Sequence, residues 1–516
     1  MFPNRTITFL MILCVVVSLL LFSCKSPAVG GSAGSWAESA QKGEVANQEK
    51  PVKAPAEGPL KITVEEAVLL ALENNRAFKV ERFNPAISRT YEDQARAVFD
   101  PAVTADLTDS HRRTEQGTSD TKTSDKSAEA GISKFFPTGT TASAIVSTDR
   151  GQSSVSGGDY STRAGLSLTQ HLLQGFGTGV NLASIRQAEI DTVSSLSELQ
   201  GYAESLVAQL ETTYWNYALA QQQVQIFTDS LKLAQQQLDE TTERIKVGKL
   251  AETELAAAKA EVALRNQDLI DARSNLAKTN LQLLRLVGED LFSREVIIQT
   301  KPTVPDVTLD DVESHVKLAL QMRPDLNQSR LSLQRGELEL VKTRNGLLPR
   351  MDLFITLGKT GYADSFNSSI SEVSAGKSYD FSAGLSFEFP LGNRSAKATH
   401  SRAVMSNEQA KEAIANLEQL IQVDVRSAYV EVLRAKEQVS ASAVTRSLQE
   451  EKWRAETEKF RVGKSTAFLV AQAQRDLVES QVSEIQAVVN CLKALVELYR
   501  LEGTLLERRH ISINPR

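Results

Sequence analysis

Apolar residues recur every three or four positions over two long stretches, roughly residues 182 to 245 and 395 to 460. In the first stretch these positions are Leu199, Ala203, Leu206, Leu210, Tyr214 and Tyr217. The spacing predicts two long helices with a narrow apolar seam of the coiled-coil type. A shorter helical pattern follows each, at about 251 to 287 and 465 to 503. The chain is therefore predicted to form two helical hairpins.

Apolar and polar residues alternate in the segments that precede each long helix. One face of the last such segment holds Phe381, Ala383, Leu385, Phe387 and Phe389. Shorter alternating segments lie near residues 103 to 108, 164 to 169 and 351 to 358. A period of two predicts strands with one apolar and one polar face. Strands of about 9 to 11 residues suit a tilted crossing of a bilayer, although strands of a soluble sandwich alternate too.

The chain contains an internal tandem duplication. Val247-Gly248-Lys249 recurs as Val462-Gly463-Lys464, and Tyr214 recurs at the same spacing as Tyr429. Further upstream, Ala71-Leu72-Glu73-Asn74-Asn75 corresponds to Ala319-Leu320-Gln321-Met322-Arg323. Two copies are too few for a solenoid, so they are expected to pack side by side.

These patterns divide the chain into five segments. They are a signal peptide (1–23), a lipid-anchored flexible linker (24–58), a first repeat of helix, strands and helical hairpin (59–300), a second repeat of helix, two strands and helical hairpin (301–505), and a C-terminal tail (506–516). The first helix of each repeat is predicted at Thr63 to Val98 and at Thr308 to Leu347. Thr63 is the expected N-cap, and Pro85 is expected to kink or break the first of these helices.

The first repeat carries extra sequence rich in Ser, Thr, Asp and Gly, near residues 109 to 162. It includes a hairpin-like pair of segments around Pro137-Thr138-Gly139. This region is either a long surface loop or an extension of the sheet.

The N-terminus has the features of an export signal. Arg5 precedes an apolar run from Phe9 to Phe22, which is short for a membrane span, and Cys24 follows directly. This resembles the bacterial lipoprotein signal, in which the cysteine becomes the acylated first residue. An ordinary signal peptide with a chance cysteine is the alternative.

Composition narrows the function classes. The chain is 41% hydrophobic and 24% charged with a net charge of −6, which fits a folded protein and disfavours a nucleic-acid surface. The histidines are scattered, at positions 111, 171, 315, 400 and 510. No catalytic motif, cofactor fingerprint or metal-spaced pair is present in the sequence, so we expect no enzyme, cofactor or metal site. Cys491 lacks a partner for a disulfide and is expected to be a buried apolar residue.

Four strands from one chain cannot close a membrane barrel, and an open edge in lipid is not tolerated. Several copies must therefore contribute strands. Three copies, with twelve or more strands, form the smallest symmetric ring that leaves a channel.

Taken together, the chain resembles the TolC-like outer-membrane efflux and secretion channels over about residues 60 to 505. The resemblance rests on the order and duplication of short motifs. These are Ala71 to Asn75, Gln170-His171-Leu172-Leu173-Gln174-Gly175-Phe176-Gly177, Phe389-Pro390-Leu391-Gly392, and the tips at Arg244 to Lys249 and Lys459 to Lys464.

The resemblance implies a mainly α fold with membrane β structure: coiled-coil helical hairpins forming an α-barrel, and a β-barrel completed by trimerisation. It implies a homotrimer anchored through Cys24 in the outer membrane of a Gram-negative bacterium. The chain would be the passive exit duct of a tripartite efflux or type I secretion system. Its tips (Val247, Gly248, Lys249, Val462, Gly463, Lys464) would dock a periplasmic adaptor linked to an inner-membrane pump or ABC exporter.

Two departures from the family pattern affect the expected sites. His171 stands where the second copy has Pro390, and a strand-end role is expected for it. Leu469 and Gln472 stand where the family often has acids that ring the closed aperture. Glu252 and Glu254, after the first tip, are the possible aperture acids, and solvation of a helix start is the alternative for them.

Two other functions use similar elements. A periplasmic adaptor would show one hairpin inside β-domains, and a structural coiled-coil lipoprotein would lack alternating strands. Nothing in the sequence distinguishes a drug, a metal ion or a polypeptide as cargo.

Overall fold

A computed structural model describes residues 60–116, 119–153, 159–248, 250–288, 296–305 and 309–512. Cys24 and the predicted signal and linker lie outside these residues. Within them the chain forms two compact units. The strand unit contains residues 91–188 and 336–406, and the helical unit contains residues 60–90, 189–335 and 407–512.

The strand unit is built on a six-stranded antiparallel sheet with the order β2-β3-β4-β5-β7-β8. The strands are β2 (Ala102–Gln116), β3 (Ser119–Phe136), β4 (Thr140–Ser153), β5 (Tyr160–His171), β7 (Arg350–Ala363) and β8 (Tyr379–Glu388). The extra sequence of the first repeat is therefore an extension of the sheet, because β3 and β4 fill most of it. The predicted hairpin around Gly139 joins these two strands, and its glycine has a φ of +88°.

The register aligns the apolar positions of all six strands on one face. One continuous row is formed by Val103, Ile132, Ala144, Leu166, Leu357 and Phe381. Val103 and Phe381, at the two ends of the row, are largely exposed in the single chain. The opposite face holds mainly small and polar residues, such as Thr104, Gly131 and Gly165. The predicted alternation is thus confirmed, and the two ends of the apolar row remain open to solvent in the single chain.

A helix that the sequence analysis did not predict, Phe366–Ala375, lies between β7 and β8. It packs so closely on the sheet that Gly361 has no room for a side chain. A Cβ there would lie 2.2 Å from the carbonyl oxygen of Ser369. The Ser369 and Thr162 hydroxyls are hydrogen-bonded at 2.7 Å. The buried residues of this helix are Ser369 and Val373, and one valine in ten residues is too little apolar signal to predict it.

The helix on the sheet is the ninth of the α-helices in the described chain. In chain order they are α1 (Val64–Asn74), α2 (Arg76–Glu81), α3 (Asn84–Arg96), α4 (Thr178–Asn181), α5 (Ala183–Lys246), α6 (Thr253–Val287), α7 (Val312–Met322), α8 (Pro324–Asn345), α9 (Phe366–Ala375), α10 (Arg394–Arg461), α11 (Ala467–Glu502) and α12 (Leu505–Arg508). The two long helices, α5 and α10, contain 64 and 68 residues. Their predicted bounds, and those of α6 and α11, are confirmed to within a few residues.

The first helix of each repeat is divided, and in the first copy it breaks twice: at Asn75, which was not predicted, and directly before Pro85, as expected. Thr63 caps α1 as predicted, accepting from the Glu66 N–H at 3.2 Å. The chain then breaks at Asn75, whose side-chain oxygen accepts from the Phe78 N–H at 3.0 Å and so caps α2. Pro85 is the second residue of α3, so the break at residues 82 and 83 precedes it. A proline is tolerated in a first turn because that turn's N–H groups have no helical partner.

The second copy breaks at Arg323, and Pro324 begins α8. Each break is covered by a glycine that ends the returning helix of its own copy. Gly288 and Gly503 have φ values of +85° and +72°, a conformation that disfavours other residues. A Cβ on Gly288 would lie 2.5 Å from the Asn75 backbone, and one on Gly503 would lie 3.0 Å from the Arg323 backbone.

The helical unit has two apolar clusters, one for each copy. The first is centred on α1, α5 and α6 and is covered by a two-stranded parallel sheet of β1 (Leu60–Ile62) and β6 (Val296–Ile298). Tyr214, fully buried on α5, donates to the Ile62 carbonyl at 3.1 Å. The second cluster is smaller and is formed by α7, α8, α10 and α11. Leu505 and Leu506, at the end of the second repeat, are buried in the first cluster.

Among the described residues, none of the helices combines the length and the apolar character needed to cross a membrane.

Candidate functional site

The predicted tips are the turns that join the two helices of each hairpin. The first turn lies between Lys246, the last residue of α5, and Thr253, the first of α6. The second lies between Arg461 of α10 and Ala467 of α11. Lys249 lies outside the described residues.

Both turns use a glycine to end the long helix. Gly248 has a φ of +75°, and its N–H donates to the Ile245 carbonyl at 2.9 Å. Gly463 has a φ of +73° and donates in the same way to Phe460 at 3.1 Å. The Lys464 N–H then donates to the Lys459 carbonyl at 2.8 Å, which completes a Schellman motif.

Both tips expose a valine beside the glycine that ends the long helix. Val247 is 65% exposed and Val462 is 67% exposed, so each tip places an apolar side chain in solvent. A Cβ at Gly248 or at Gly463 would meet nothing within 4 Å. The backbone conformation, and not packing within this chain, therefore requires glycine here, and the space beside it is open.

The second tip is organised by local charges. Lys459 and Ser465 donate to the two oxygens of Glu456 at 2.6 and 2.8 Å. The hydrogen bond from Lys459, followed by that from Ser465, holds the pKa of Glu456 below its usual range. Thr466 caps α11 by accepting from the Leu469 N–H at 3.3 Å. This geometry fixes the direction in which α11 leaves the turn.

The two hairpins contact each other close to their tips. The Arg244 guanidinium lies 4.9 Å from the centre of the Phe460 ring, a cation–π contact between α5 and α10. A cavity of about 220 Å³ lies beside the Phe460 ring and is lined in part by Thr241, Trp453 and Phe468. The sequence alone gave no sign of this contact, because the partners are far apart in the chain.

At the wall of this cavity a partly buried charge cluster links the returning helices. Arg475 of α11 donates to Glu261 of α6 at 2.9 Å, and Arg265 donates to the other oxygen of Glu261 at 2.8 Å. Glu261 and Arg265 are both buried. The sequence could have indicated this cluster, because Glu261 and Arg265 lie one helical turn apart at positions where a coiled-coil seam normally has apolar residues.

The possible aperture acids lie directly after the first tip. Glu252 is exposed at the N-cap position of α6, and Glu254 is partly buried in its first turn. The helix dipole stabilises carboxylates at the start of a helix. The positions of Glu252 and Glu254 therefore fit both interpretations, an aperture acid and a residue that solvates the start of α6. After the second tip, the first turn of α11 exposes Phe468 and Leu469 in place of acids.

His171 and the candidate metal ligands are the remaining side chains of interest. His171 ends β5, and its Nδ1 lies 2.6 Å from Asp352, which also accepts from Arg350 at 2.9 Å. This is the strand-end role expected for His171. Over the described residues, no group of three or more His, Cys, Asp or Glu side chains is arranged to hold a metal ion.

The family model described as outer membrane efflux protein matches residues 68–289 and 315–504. The chain belongs to this family. The two matched segments correspond to the two copies of the duplication. Because the family consists of outer membrane efflux channels, the chain is a channel protein.

Relatives agree in sequence and in fold. The chain is 23% identical over 359 residues to the outer membrane protein TolC of Vibrio cholerae, a match that covers 68% of this chain and 78% of the relative. The CmeC outer membrane channel of Campylobacter jejuni aligns with a TM-score of 0.66 at 15% identity, covering 86% of each chain. The open state of the MtrE outer membrane channel of Neisseria gonorrhoeae aligns at 0.64 and 16%, covering 86% and 89%.

These findings confirm the family resemblance and the mainly helical fold with a duplicated strand-and-hairpin unit. They also confirm the location, in the outer membrane of Gram-negative bacteria with an extension into the periplasm. Family membership argues against the two alternatives, a periplasmic adaptor and a purely structural lipoprotein.

Proposed function

We propose that this chain is the exit duct of a tripartite efflux or type I secretion system. Three chains join their sheets into a β-barrel and their hairpins into an α-barrel, and Cys24 carries a lipid anchor. The duct is passive, and an inner-membrane pump or ABC exporter supplies the energy. A periplasmic adaptor docks on the tips formed by Val247, Gly248 and Lys249 and by Val462, Gly463 and Lys464.

The observation that carries this proposal is the equivalence of the two tips. Each presents an exposed valine beside a glycine with open space around its Cα. An apolar side chain in solvent and a close backbone approach are what a docking helix uses in a partner's groove. Because Arg244 and Phe460 join the tips, the adaptor can contact both copies together.

The sheet supports the need for further copies of the chain. Strands β2 and β8 are the edges of the described sheet, and each has backbone groups without a neighbouring strand on its outer side. An edge of this kind must be paired if the apolar face is to lie in lipid. Pairing β8 of one chain with β2 of the next satisfies both edges.

Assembly and conduction test the duct. Purified protein should cross-link as a trimer and form conducting channels in planar bilayers. A monomer that conducts no ions under any detergent or lipid condition would reject the proposal.

Docking is tested separately with cysteines. Single cysteines at 248 and at 463 should cross-link to an adaptor in cells and enrich its pump in the purified complex. Cysteine at 179 is a matched control, because Gly179 is also exposed with nothing within 4 Å of a Cβ but lies in the strand unit. Equal adaptor capture at all three positions would remove the assignment of the tips while leaving the channel proposal intact.

Glu252 and Glu254 are proposed as aperture acids of the assembled duct. Replacing both with glutamine should raise the single-channel conductance at neutral pH, because cations bound between the carboxylates of the three chains would no longer hold the aperture closed. No change in conductance would leave them as solvating residues of the α6 start.

A further inference from the structure

A second cavity of about 360 Å³ lies in the helical unit, away from the tips. It is enclosed by one side of α5, the end of α7 and the residues around α12. Leu199, Met322, Leu506 and Ile511 give it a largely apolar wall. A cavity of this size is in the range that small organic ligands occupy.

The wall contains an ionisable group that is buried, which an apolar surface does not favour. Glu204 of α5 lines it and is only 3% exposed. Its Oε1 is buried and has no hydrogen-bond partner. A buried carboxyl oxygen without a partner costs free energy, so such groups usually have a ligand, an ion or a proton to satisfy them.

The charges around Glu204 do not neutralise it. Arg500 of α11 attracts its negative form, but Arg500 is itself bound to Glu497 at 2.6 and 2.9 Å. Asp325, near the start of α8, repels that form, and Glu507 of α12 lines the same cavity. Burial is the largest effect and raises the pKa of Glu204 to about 8. At neutral pH the carboxyl is therefore mostly protonated.

We propose that this cavity is a binding site for a small organic cation of the alkylammonium class. The ammonium group pairs with the Glu204 carboxylate, and the alkyl chain packs on Leu199, Met322 and Leu506. The site lies within a single chain and does not depend on the proposed duct function.

The binding step has a defined proton balance. The O–H bond of the Glu204 carboxyl breaks, its proton passes to the buffer, and the carboxylate left behind accepts hydrogen bonds from the ammonium group. At pH 7 the release should approach roughly one proton for each cation bound, because most of the population is protonated beforehand. No electron transfer and no further reactant are involved.

The test is calorimetric titration of the purified full-length protein with n-butylammonium chloride at pH 7, in buffers of different ionisation enthalpy. The wild type should bind with release of roughly one proton, and the affinity should rise by up to about tenfold per pH unit between pH 6 and pH 8. Butan-1-ol, uncharged and of similar size, should release no proton.

Two variants separate the site from general charge effects. Glu204→Gln should weaken butylammonium binding by about tenfold or more and abolish proton release. Glu198→Gln makes the same change of charge at an exposed position of α5 that does not line the cavity, and it should bind like the wild type. Uptake of butylammonium by detergent would be equal in all three proteins.

The proposal is overturned if the wild type shows no binding of butylammonium, if binding releases no proton, or if Glu204→Gln binds as tightly as the wild type. Circular dichroism establishes that the glutamine variant is folded. That variant is expected to fold, since it removes a buried ionisable group.

Discussion

The two copies of the duplication differ at one buried joint of the helical unit. In the first copy, Ala67 of α1 and Val287 of α6 are both buried and apolar. The corresponding positions of the second copy are His315 of α7 and Glu502 of α11, whose side chains form a buried hydrogen bond. The same arrangement of helices is thus held by apolar side chains in one copy and, in the other, by polar contacts of the Glu502 carboxylate, here called the charged joint.

The charged joint recruits further partners. The second oxygen of Glu502 accepts from the Thr504 hydroxyl at 2.9 Å and from Arg508 at 3.3 Å. The His315 ring also lies 5.6 Å from the Tyr429 ring. The Glu502 carboxylate therefore ties α7 to the segment after α11. A duplicated scaffold can therefore accept a complete change of chemistry at a buried joint when both partners change together.

The largest expected effect comes from breaking the charged joint on one side only. Glu502→Val leaves His315, Thr504 and Arg508 without their shared acceptor and should destabilise the fold by about 3 to 5 kcal/mol. Urea or thermal unfolding followed by circular dichroism measures the loss.

The double variant His315→Ala with Glu502→Val gives the second copy the residues of the first. It should recover part of the lost stability, because it removes the buried His315 ring that Glu502→Val leaves unpaired, while Thr504 and Arg508 still lack their acceptor. A double variant as unstable as Glu502→Val alone would show that the pair does not act as a unit.

The next effect concerns α5 and α10, which carry different residues at equivalent positions. Glu204 of α5 is buried, whereas Gln419 of α10 is exposed. Since folding raises the pKa of Glu204 to about 8, its stabilising contribution is fully present below its unfolded pKa and is lost as pH rises through 8.

Stability of the wild type should therefore fall by an amount on the order of a few kcal/mol between pH 5 and pH 8 from this group. Glu204→Gln should flatten that fall, and Glu198→Gln should leave it unchanged. Unfolding midpoints measured across this pH range decide the matter. An unchanged pH profile in Glu204→Gln would mean that the carboxyl is not desolvated.

A smaller difference is expected at the glycines that cover the two helix breaks. Gly288→Ala should cost about 3 kcal/mol, because it adds a backbone clash to a strained φ. Gly503→Ala should cost less, about 1 to 2 kcal/mol, since its Cβ would sit 3.0 Å from the backbone and not 2.5 Å. Gly463→Ala, with a similar φ and open space, isolates the strain alone. Equal unfolding midpoints for all three variants would contradict this order.

The smallest effect concerns the equivalent tyrosines of the long helices. Tyr214→Phe removes a buried hydrogen bond to the Ile62 carbonyl and should cost about 1 kcal/mol. Tyr429→Phe removes the equivalent bond to the Asp310 carbonyl, which is exposed, and should cost only a few tenths of that. Thermal unfolding of both variants compares them, and a larger loss for Tyr429→Phe would reverse the assignment of the better-buried copy.

Periodic features of this chain were predictable from the sequence because each depends on local geometry. The seam of α5, the Thr63 cap and the turn glycines at 248 and 463 follow from helical spacing and from the conformations that each residue allows. The strands β5, β7 and β8 followed from alternation. The sequence did not distinguish strands β3 and β4 from a long surface loop. Their outer halves carry Ser, Thr and Asp on both faces, so the alternation of apolar and polar residues disappears there.

Features that depend on distant partners were not predictable. Glu502 and His315 meet only after the repeats have packed, and the same holds for Glu211 and Arg509, paired at 2.6 and 2.7 Å. The break at Asn75 was missed for a related reason. Its side chain caps one helix and also donates to the Leu286 carbonyl, so its role is decided by the helix that returns beside it.

The open edges at β2 and β8 have a genetic consequence. In the proposed trimer each chain completes the sheet of its neighbour, so one defective edge leaves two otherwise intact chains in an assembly that cannot close. An allele that encodes a proline in the middle of β8 should therefore be dominant, and its product should lower transport even in cells that keep a normal copy of the gene.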